Sequence, residues 1–235
     1  MIEVVRRVDR FLLDLIYPPP YRCLCCRENL PQGEYGPLCG TCVRALAALA
    51  REEDENRHEP PEGLAFVSCA YPYRGEAKKL VYELKYYGRR RAAAPLAQAM
   101  SSLPAGEEDL IVPVPTTRRR RRARGYNQAE LLAKELSRIY GMKMNAKALV
   151  RRDDHDSQTK LSYEERQRNV AGCMTAAPTV RGHRVLLVDD VYTTGATALE
   201  AARALKEAGC VSVGVFAACR AGRDAGGRMT DERAP

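Results

Sequence analysis

The stretch that decides the fold runs from Arg184 to Gly209 and reads RVLLVDDVYTTGATALEAARALKEAG. Its apolar run predicts a strand that is buried on both faces, as in a parallel sheet. Two adjacent carboxylates, Asp189 and Asp190, follow that run, and the turn TTGAT then opens a helix. Because ligands of open parallel sheets bind beyond the carboxyl ends of the strands, the stretch predicts a ligand site at this turn.

The turn has the chemistry of a phosphate site. Free backbone N–H groups and the positive end of the helix dipole bind an anion at a helix N-terminus. Glycine permits the tight turn, and the threonine hydroxyls add donors. The acid pair would repel phosphate, so its partners are sugar hydroxyls or a hard cation such as Mg²⁺. Together they favour a ribose 5-phosphate, with a solvated acid pair on an ordinary strand–turn–helix as the alternative. The predicted phosphate-binding residues are Thr193, Thr194, Gly195, Ala196 and Thr197.

The rest of the chain alternates strand and helix patterns, which predicts an α/β fold with a doubly wound parallel sheet. The predicted strands are LAFVSCAYPY, DLIVPVP, RVLLV and VSVGVFAAC, and the main predicted helices are GEAKKLVYELKYYG and NQAELLAKELSRIYG. The sequence also predicts an amphipathic helix over 2–16, a capping box at 162–165 and a disordered tail over 221–235. A charged, proline-containing linker suggests a domain boundary near Glu62, which gives an N-terminal module over 1–62 and an α/β domain over 63–220.

Composition restricts the partners and the compartment. The 235 residues carry a formal net charge of +8, which favours anionic partners such as nucleic acid, phosphate-rich ligands or acidic membrane. No stretch approaches the ~20 apolar residues of a membrane span. Charges through the first 20 residues argue against a secretory signal, so we expect a cytosolic protein. In that compartment nine cysteines indicate metal ligands or free thiols rather than disulfides.

Four of the cysteines have the spacing of a structural zinc site. Two Cys-x-x-Cys pairs are separated by twelve residues, and each pair can form a tight knuckle. Two knuckles provide the tetrahedral Cys₄ set that suits Zn²⁺. A redox dithiol and free thiols are the alternatives, and Cys25 is either an alternative ligand or points away. The predicted ligands are Cys23, Cys26, Cys39 and Cys42.

A basic stretch, RRRRRARGYNQAE, begins at Arg118. Arginines that follow phosphates beside an aromatic ring are typical of single-strand nucleic-acid binding. Pyrophosphate contact and a solvated loop are the alternatives. A second cluster, KYYGRRR, has the same character, although a helix C-terminus charged to suit the dipole explains it equally well. The predicted nucleic-acid residues are Arg118, Arg119, Arg120, Arg121, Arg122, Arg124, Tyr126 and Lys85.

The segment VLLVDDVYTTGAT resembles the phosphoribosyl-pyrophosphate signature of type I phosphoribosyltransferases. The resemblance implies that Asp189 and Asp190 are the catalytic acids, which hold the ribose hydroxyls and Mg²⁺, while the threonine turn holds the 5-phosphate. It also implies a pyrophosphate loop after an earlier strand. The proline-rich turn IVPVPTT fits that place, with Pro115 and Thr116 as its binding residues.

The order of motifs along the chain resembles the ComF family of competence proteins. The motifs are the cysteine pairs, YRGEAKKLVYELKYYG, DLIVPVP, RARGYNQAELLAKELS, SQTKLSYEERQRNVAG and the phosphoribosyl signature. The resemblance implies a type I phosphoribosyltransferase fold with a small N-terminal zinc finger. It also implies uptake of transforming single-stranded DNA on the cytosolic side, free or peripheral at the inner face of the membrane, with a helicase and other DNA-processing proteins as partners.

Two functions follow, and a third is weaker. The first is a DNA-uptake factor that binds single-stranded DNA and uses its phosphoribosyl-pyrophosphate site for sensing or residual catalysis. The second is an active, Mg²⁺-dependent phosphoribosyltransferase whose acceptor is unknown. The third is a zinc-stabilised adaptor that docks a motor protein. In the predicted helix over 2–16, docking on the protein's own surface is the simplest role, with a partner or a membrane surface as alternatives.

Overall fold

The computed structural model describes residues 22–30, 36–55, 59–152 and 172–222. Several predictions made from the sequence lie outside the described residues. They are the helix over 2–16, the capping box at 162–165, residues 157–171 of the motif SQTKLSYEERQRNVAG and all of the predicted tail except 221–222.

The centre of the molecule is a five-stranded parallel sheet in the order β1-β7-β6-β2-β3. The remaining strands, β4 and β5, form a separate antiparallel pair. The strands are β1 Phe66–Pro72, β2 Leu110–Pro113, β3 Lys143–Met144, β4 Leu149–Arg151, β5 Met174–Ala176, β6 Arg184–Tyr192 and β7 Ser212–Arg220. The predicted parallel α/β sheet is confirmed, whereas β3, β4 and β5 were not predicted.

Six α-helices connect these strands within the described residues. They are α1 Gly40–Glu55, α2 Gly75–Tyr86, α3 Ala93–Met100, α4 Arg118–Arg124, α5 Gln128–Tyr140 and α6 Ala196–Glu207. Helix α5 ends at Gly141 in the left-handed conformation, as the sequence predicted. Ile139 shares the helical spacing of the buried residues Leu132 and Leu136, but it is 38% exposed in the last turn of α5.

Side chains of β6 alternate between two hydrophobic clusters, one on each face of the sheet. Leu186 and Val188 join the cluster that α2, α3 and α5 cover. Val185 and Leu187 join the cluster that α6 covers. Successive strand residues point to opposite faces, so a continuous apolar run fills both layers. Burying each such side chain contributes about 1.5–3 kcal/mol, which fixes β6 rigidly beneath the acid pair.

The N-terminal module packs on the α/β domain. Leu46 and Leu49 of α1 belong to the same buried cluster as Leu80 and Leu84 of α2. The module therefore shares a core with the domain, and the predicted boundary near Glu62 stays a prediction. No helix in the described parts of the chain is long and apolar enough to span a membrane.

Candidate phosphoribosyl site and basic surface

The acid pair lies at an open edge of β6. Strand β6 runs to Tyr192 and so extends beyond the acids, which is further than the sequence predicted. On one side β7 stays paired with it as far as Tyr192. On the other side β2 ends at Pro113, opposite Val188. Because β2 stops one residue before Asp189, the edge of β6 that faces β2 is open at the acids, and a cleft forms there.

The two carboxylates have different surroundings. The side chain of Asp190 is only 12% exposed, and its Oδ1 lies 3.2 Å from Nζ of Lys85. Asp189 is half-buried, and its Oδ1 accepts a hydrogen bond of 2.8 Å from the N–H of Asp190. Asp190 is therefore held inside the protein by a buried ammonium group, whereas Asp189 is the more accessible acid.

A cleft of about 180 Å³ brings together most of the residues predicted to bind phosphoribosyl pyrophosphate. Its lining also carries four cationic side chains against the two acids, which leaves an excess of positive charge for an anionic ligand. The predicted residues that line it are Asp189, Asp190, Pro115, Thr116, Thr193 and Thr197. The cations are Lys85, Arg120, Arg124 and Arg151.

The other three residues of the threonine turn shape it without lining the cleft. The hydroxyl of Thr194 accepts a hydrogen bond of 3.3 Å from the N–H of Ala196 and so closes the turn. Gly195 has φ +79°, and a Cβ there would lie 2.4 Å from the hydroxyl oxygen of Tyr192. Only glycine fits both restrictions at low cost. The first turn of α6 is thereby placed directly behind Thr193.

Sequence reasoning missed Gln128 as a site residue. Gln128 is 2% exposed and lines the cleft beside the acids. Among the described residues its Nε2 has no hydrogen-bond partner. A buried donor without an acceptor costs about 1–3 kcal/mol, so a ligand oxygen in the cleft is the natural partner. The motif RARGYNQAELLAKELS, which contains Gln128, was the sequence signal that could have indicated this role.

Arg151 was also missed. It reaches the cleft from β4, which belongs to the separate antiparallel pair. Nothing in the local sequence around Arg151 indicates a site, because only the tertiary fold brings β4 to the cleft.

The arginine run forms a short helix, α4, which was not predicted from the sequence. Thr117 caps it: its hydroxyl accepts a hydrogen bond of 3.3 Å from the N–H of Arg120. Helical spacing separates the arginines onto different faces. Arg120 and Arg124 line the cleft, and Nη1 of Arg121 lies 3.2 Å from Glu130 Oε2. The remaining arginines of the run, Arg118, Arg119 and Arg122, are exposed.

Two residues of the predicted nucleic-acid set do not fit that role. Tyr126 is 7% exposed, its hydroxyl donates a hydrogen bond of 2.6 Å to the carbonyl of Leu84, and the guanidinium of Arg90 lies 4.8 Å from its ring centroid. Burial also raises the pKa of Tyr126. Its ring is therefore unavailable for base stacking. Lys85 is buried against Asp190 and belongs to the cleft.

Asn127, which follows Tyr126, has a structural role. Its Oδ1 accepts a hydrogen bond of 3.2 Å from the N–H of Ala129 and so caps α5. Its Nδ2 donates a hydrogen bond of 2.9 Å to the carbonyl of Val114. Asn127 thus fastens the start of α5 to the end of β2, which positions Gln128 in the cleft.

The four predicted zinc ligands come together. The Sγ atoms of Cys23, Cys26, Cys39 and Cys42 all lie within 4.8 Å of one another. Sγ of Cys26 and Sγ of Cys39 are 3.7 Å apart. Tetrahedral coordination at ~2.3 Å per bond separates sulfurs by about 3.8 Å, so the cluster fits Zn²⁺. The Sγ–Sγ distance is too long for a disulfide of ~2.05 Å.

Cys25 lies outside this cluster. It is buried, and its Sγ lies 3.7 Å from the carbonyl oxygen of Glu76 on α2. The extra cysteine therefore faces the α/β domain rather than the metal site. This settles the choice between an alternative ligand and a thiol that points away, in favour of the latter.

Comparison with known proteins agrees with these features. The phosphoribosyl transferase domain model matches residues 92–232, more than half of the chain. The DNA utilization protein YhgH of Escherichia coli (strain K12) is 30% identical over 223 residues, which cover 86% of this chain and 97% of that protein. Competence protein ComFC of Bacillus subtilis (strain 168) is 29% identical over 217 residues, which cover 88% of each chain.

Among solved structures, the glutamine phosphoribosylpyrophosphate amidotransferase from B. subtilis is similar at 20% identity, with a TM-score of 0.42 over 58% of this chain and 30% of that one. The family match, the parallel sheet and the four-cysteine cluster all agree with what the motif order indicated. The chain therefore belongs to the phosphoribosyl transferase domain family and, within it, to the ComF family of competence and DNA utilization proteins.

Proposed function

We propose that the cleft binds phosphoribosyl pyrophosphate with Mg²⁺, and that the protein uses this site while it handles single-stranded DNA on the cytosolic side. The observation that carries the first part is the convergence in one cleft of an acid pair, a threonine turn and a buried amide donor without a partner among the described residues. The second part is supported by the names of the relatives and by the exposed cations of α4.

Each part of the ligand has a chemical counterpart in the cleft. The turn at Thr193 and the N-terminus of α6 offer N–H and hydroxyl donors to the 5-phosphate. Asp189, the more accessible acid, suits the ribose hydroxyls. Pro115 and Thr116, with Arg120 and Arg124, face the pyrophosphate end. Gln128 Nε2 would donate to a ligand oxygen and so gain the partner that it lacks among the described residues.

Carboxylate oxygens of the acid pair are the hard ligands that Mg²⁺ prefers. Asp190 is largely buried and paired with Lys85, whereas Asp189 is half-buried at the open edge of β6. Asp189 is therefore the acid that the ion reaches more easily. When bound, Mg²⁺ would neutralise part of the pyrophosphate charge.

Isothermal titration of the full chain with phosphoribosyl pyrophosphate and Mg²⁺ tests the cleft. We expect saturable binding that Asp189→Asn weakens at least tenfold. Glu59→Gln is the matched control, because it removes one exposed carboxylate that does not line the cleft. Equal affinity in wild type and Asp189→Asn, or no heat of binding in wild type, would rule the proposal out.

The second candidate is catalytic transfer of the phosphoribosyl group, which the four cations of the cleft favour. In that reaction the bond between C1 and the pyrophosphate oxygen breaks, and C1 forms a bond to an acceptor. Cations placed at the departing pyrophosphate stabilise its developing charge. Release of pyrophosphate from the wild type, lost in Asp189→Asn, would support an enzyme. Binding without release in the presence of single-stranded DNA would support a sensor.

The DNA part of the proposal is carried by the exposed face of α4. The variant Arg118→Gln/Arg119→Gln/Arg122→Gln removes three cations that do not line the cleft. We expect weaker binding of an oligothymidylate and a smaller salt dependence, by about 0.7 for each phosphate that the variant no longer neutralises. Unchanged oligonucleotide affinity would show that α4 is not the DNA surface.

A further inference from the structure

A second basic site lies at the junction of the N-terminal module and the end of α2. A groove of about 710 Å³ opens there, within the ~300–1,000 Å³ of pockets that hold organic ligands. We call it the arginine groove. Its lining includes Arg22, Arg27, Arg89, Arg90, Arg91 and Tyr87. None of these residues lines the phosphoribosyl cleft.

One buried carboxylate organises the floor of this groove. The side chain of Glu83 is 6% exposed, and it forms ion pairs with both Arg27 of the first cysteine knuckle and Arg89, whose Nη1 lies 3.0 Å from Glu83 Oε2. These ion pairs fix the knuckle to α2. A single carboxylate supplies one negative charge for two guanidinium groups, and the described lining contains no acidic residue. Among the described residues, positive charge therefore exceeds negative charge in the lining of the groove.

One exposed aromatic ring lines the groove. Tyr87, the residue that follows α2, lines the groove and is 58% exposed. Structural ion pairing alone does not explain a tyrosine ring left in solvent among arginines. Such a ring offers a stacking face to an unpaired base, while the guanidinium groups offer paired donors to phosphates.

Alternating arginine and tyrosine side chains connect the groove with α4. The guanidinium of Arg90 lies 4.8 Å from the ring centroid of Tyr126. The guanidinium of Arg124 lies 5.3 Å from the ring centroid of Tyr86. Basic side chains thus continue from the groove to Arg124, at the end of α4 that lines the phosphoribosyl cleft. A flexible polyanion longer than one nucleotide fits this extent better than a small anion does.

We propose that the arginine groove binds the backbone of single-stranded nucleic acid, with an unpaired base stacked on Tyr87. The ligand class rests on the proposed function, but the site is separate from the cleft and from the outer face of α4. Phosphate chains without bases share part of this chemistry, so the test includes inorganic polyphosphate as a probe.

The main experiment measures binding of a fluorescent dodecathymidylate to the full chain over a range of salt concentrations. The groove variant is Arg22→Gln/Arg90→Gln/Arg91→Gln, which leaves the Glu83 ion pairs in place. With three fewer phosphates neutralised, the slope of log affinity against log salt should fall by about 2. The control variant is Lys134→Gln/Arg138→Gln/Lys147→Gln, which removes the same charge at exposed positions outside both sites. A groove variant that behaves like this control overturns the inference.

Tyr87→Ala tests base stacking without a change of charge. This test remains informative if the triple groove variant folds poorly. We expect at least a fivefold loss of oligonucleotide affinity, from one stacked base, and no loss of polyphosphate affinity. Equal effects on both probes, or on neither, would contradict a base on Tyr87.

The outcomes also separate this inference from the proposed function. If only the α4 variant loses oligonucleotide affinity, the proposed DNA surface on α4 is supported and the groove is ruled out as a binding site. If the groove variant loses oligonucleotide affinity and the wild type does not bind phosphoribosyl pyrophosphate, the groove is supported and the proposed cleft ligand is ruled out. If the wild-type protein shows no salt-dependent oligonucleotide binding, both the groove inference and the DNA part of the proposed function are ruled out.

Discussion

The buried ion pair between Lys85 and Asp190 gives the sharpest quantitative prediction. The two charged atoms are 3.2 Å apart, and the side chains are 9% and 12% exposed. At an effective dielectric constant of ~20, their attraction is about 5 kcal/mol, much of which offsets the cost of removing both charges from water. Removal of one partner leaves the other charge buried, which costs about 3–5 kcal/mol.

We therefore expect Lys85→Met and Asp190→Asn each to lower the free energy of unfolding by about 3 kcal/mol or more. In a domain of this size each kcal/mol lowers the melting temperature by about 2–4 °C, so the loss is at least about 6 °C. The double variant should recover much of that loss, with a coupling energy above about 1.5 kcal/mol. Circular dichroism in urea is the suitable assay, because the chain has no tryptophan.

Lys79→Met provides the matched control. Lys79 lies on the same helix, and its Nζ is also 3.2 Å from a carboxylate oxygen, on Glu76, but its side chain is 53% exposed. An exposed pair of this kind contributes less than about 1 kcal/mol. Should Lys85→Met cost no more than Lys79→Met, the reasoning about the buried pair is refuted. A large loss of oligonucleotide affinity in Lys85→Met would instead return Lys85 to the nucleic-acid surface.

Three further predictions concern the metal site, the cleft and pH. Cys39→Ser should lose stoichiometric zinc by mass spectrometry and melt at a lower temperature, whereas Cys25→Ser should keep its zinc, since only Cys39 belongs to the sulfur cluster. Gln128→Leu should weaken phosphoribosyl pyrophosphate binding by calorimetry about tenfold with no loss of stability, because it removes a buried donor without a partner among the described residues. Hydrogen bonds from Arg203, opposed by burial and helped by the N–H of Met174, hold the pKa of Glu200 below its ordinary value. That stabilisation is present above the ordinary glutamate pKa of about 4.3 and is lost as pH falls through the lowered pKa. The urea midpoints of wild type and Glu200→Gln should therefore differ at pH 7 and converge as the pH falls through the lowered pKa, and a constant difference would count against this ion pair.

Local patterns were sufficient for the main elements of the fold. The apolar run before Asp189 predicted a strand buried on both faces, and its order with the neighbouring helices predicted a parallel sheet. The spacing of four cysteines likewise predicted their cluster, because two short knuckles of this kind share one geometry. These predictions succeeded because the relevant interactions are short in sequence or repeat with a fixed period.

Charged residues were harder to assign, because their partners are distant in sequence. Lys85 and Asp190 are separated by 105 positions, and no local signal distinguishes a lysine that ends in a cleft from one that ends in solvent. In the sequence the arginine run is a uniform basic segment. Only a helix with a fixed orientation separates Arg120 and Arg124 from Arg121, which lies against Glu130. Burial of Tyr126 likewise depends on Leu84 and Arg90, which lie on other segments.

The sequence by itself determined the chemistry of this protein: an acid pair, a threonine turn, a Cys₄ set and a surplus of arginine. The tertiary structure alone decided where each charge ended, because Coulomb energies depend on distance and burial rather than on position in the chain. Early termination of β2 opened the cleft beside Asp189, and packing of α2 against the first cysteine knuckle created the arginine groove.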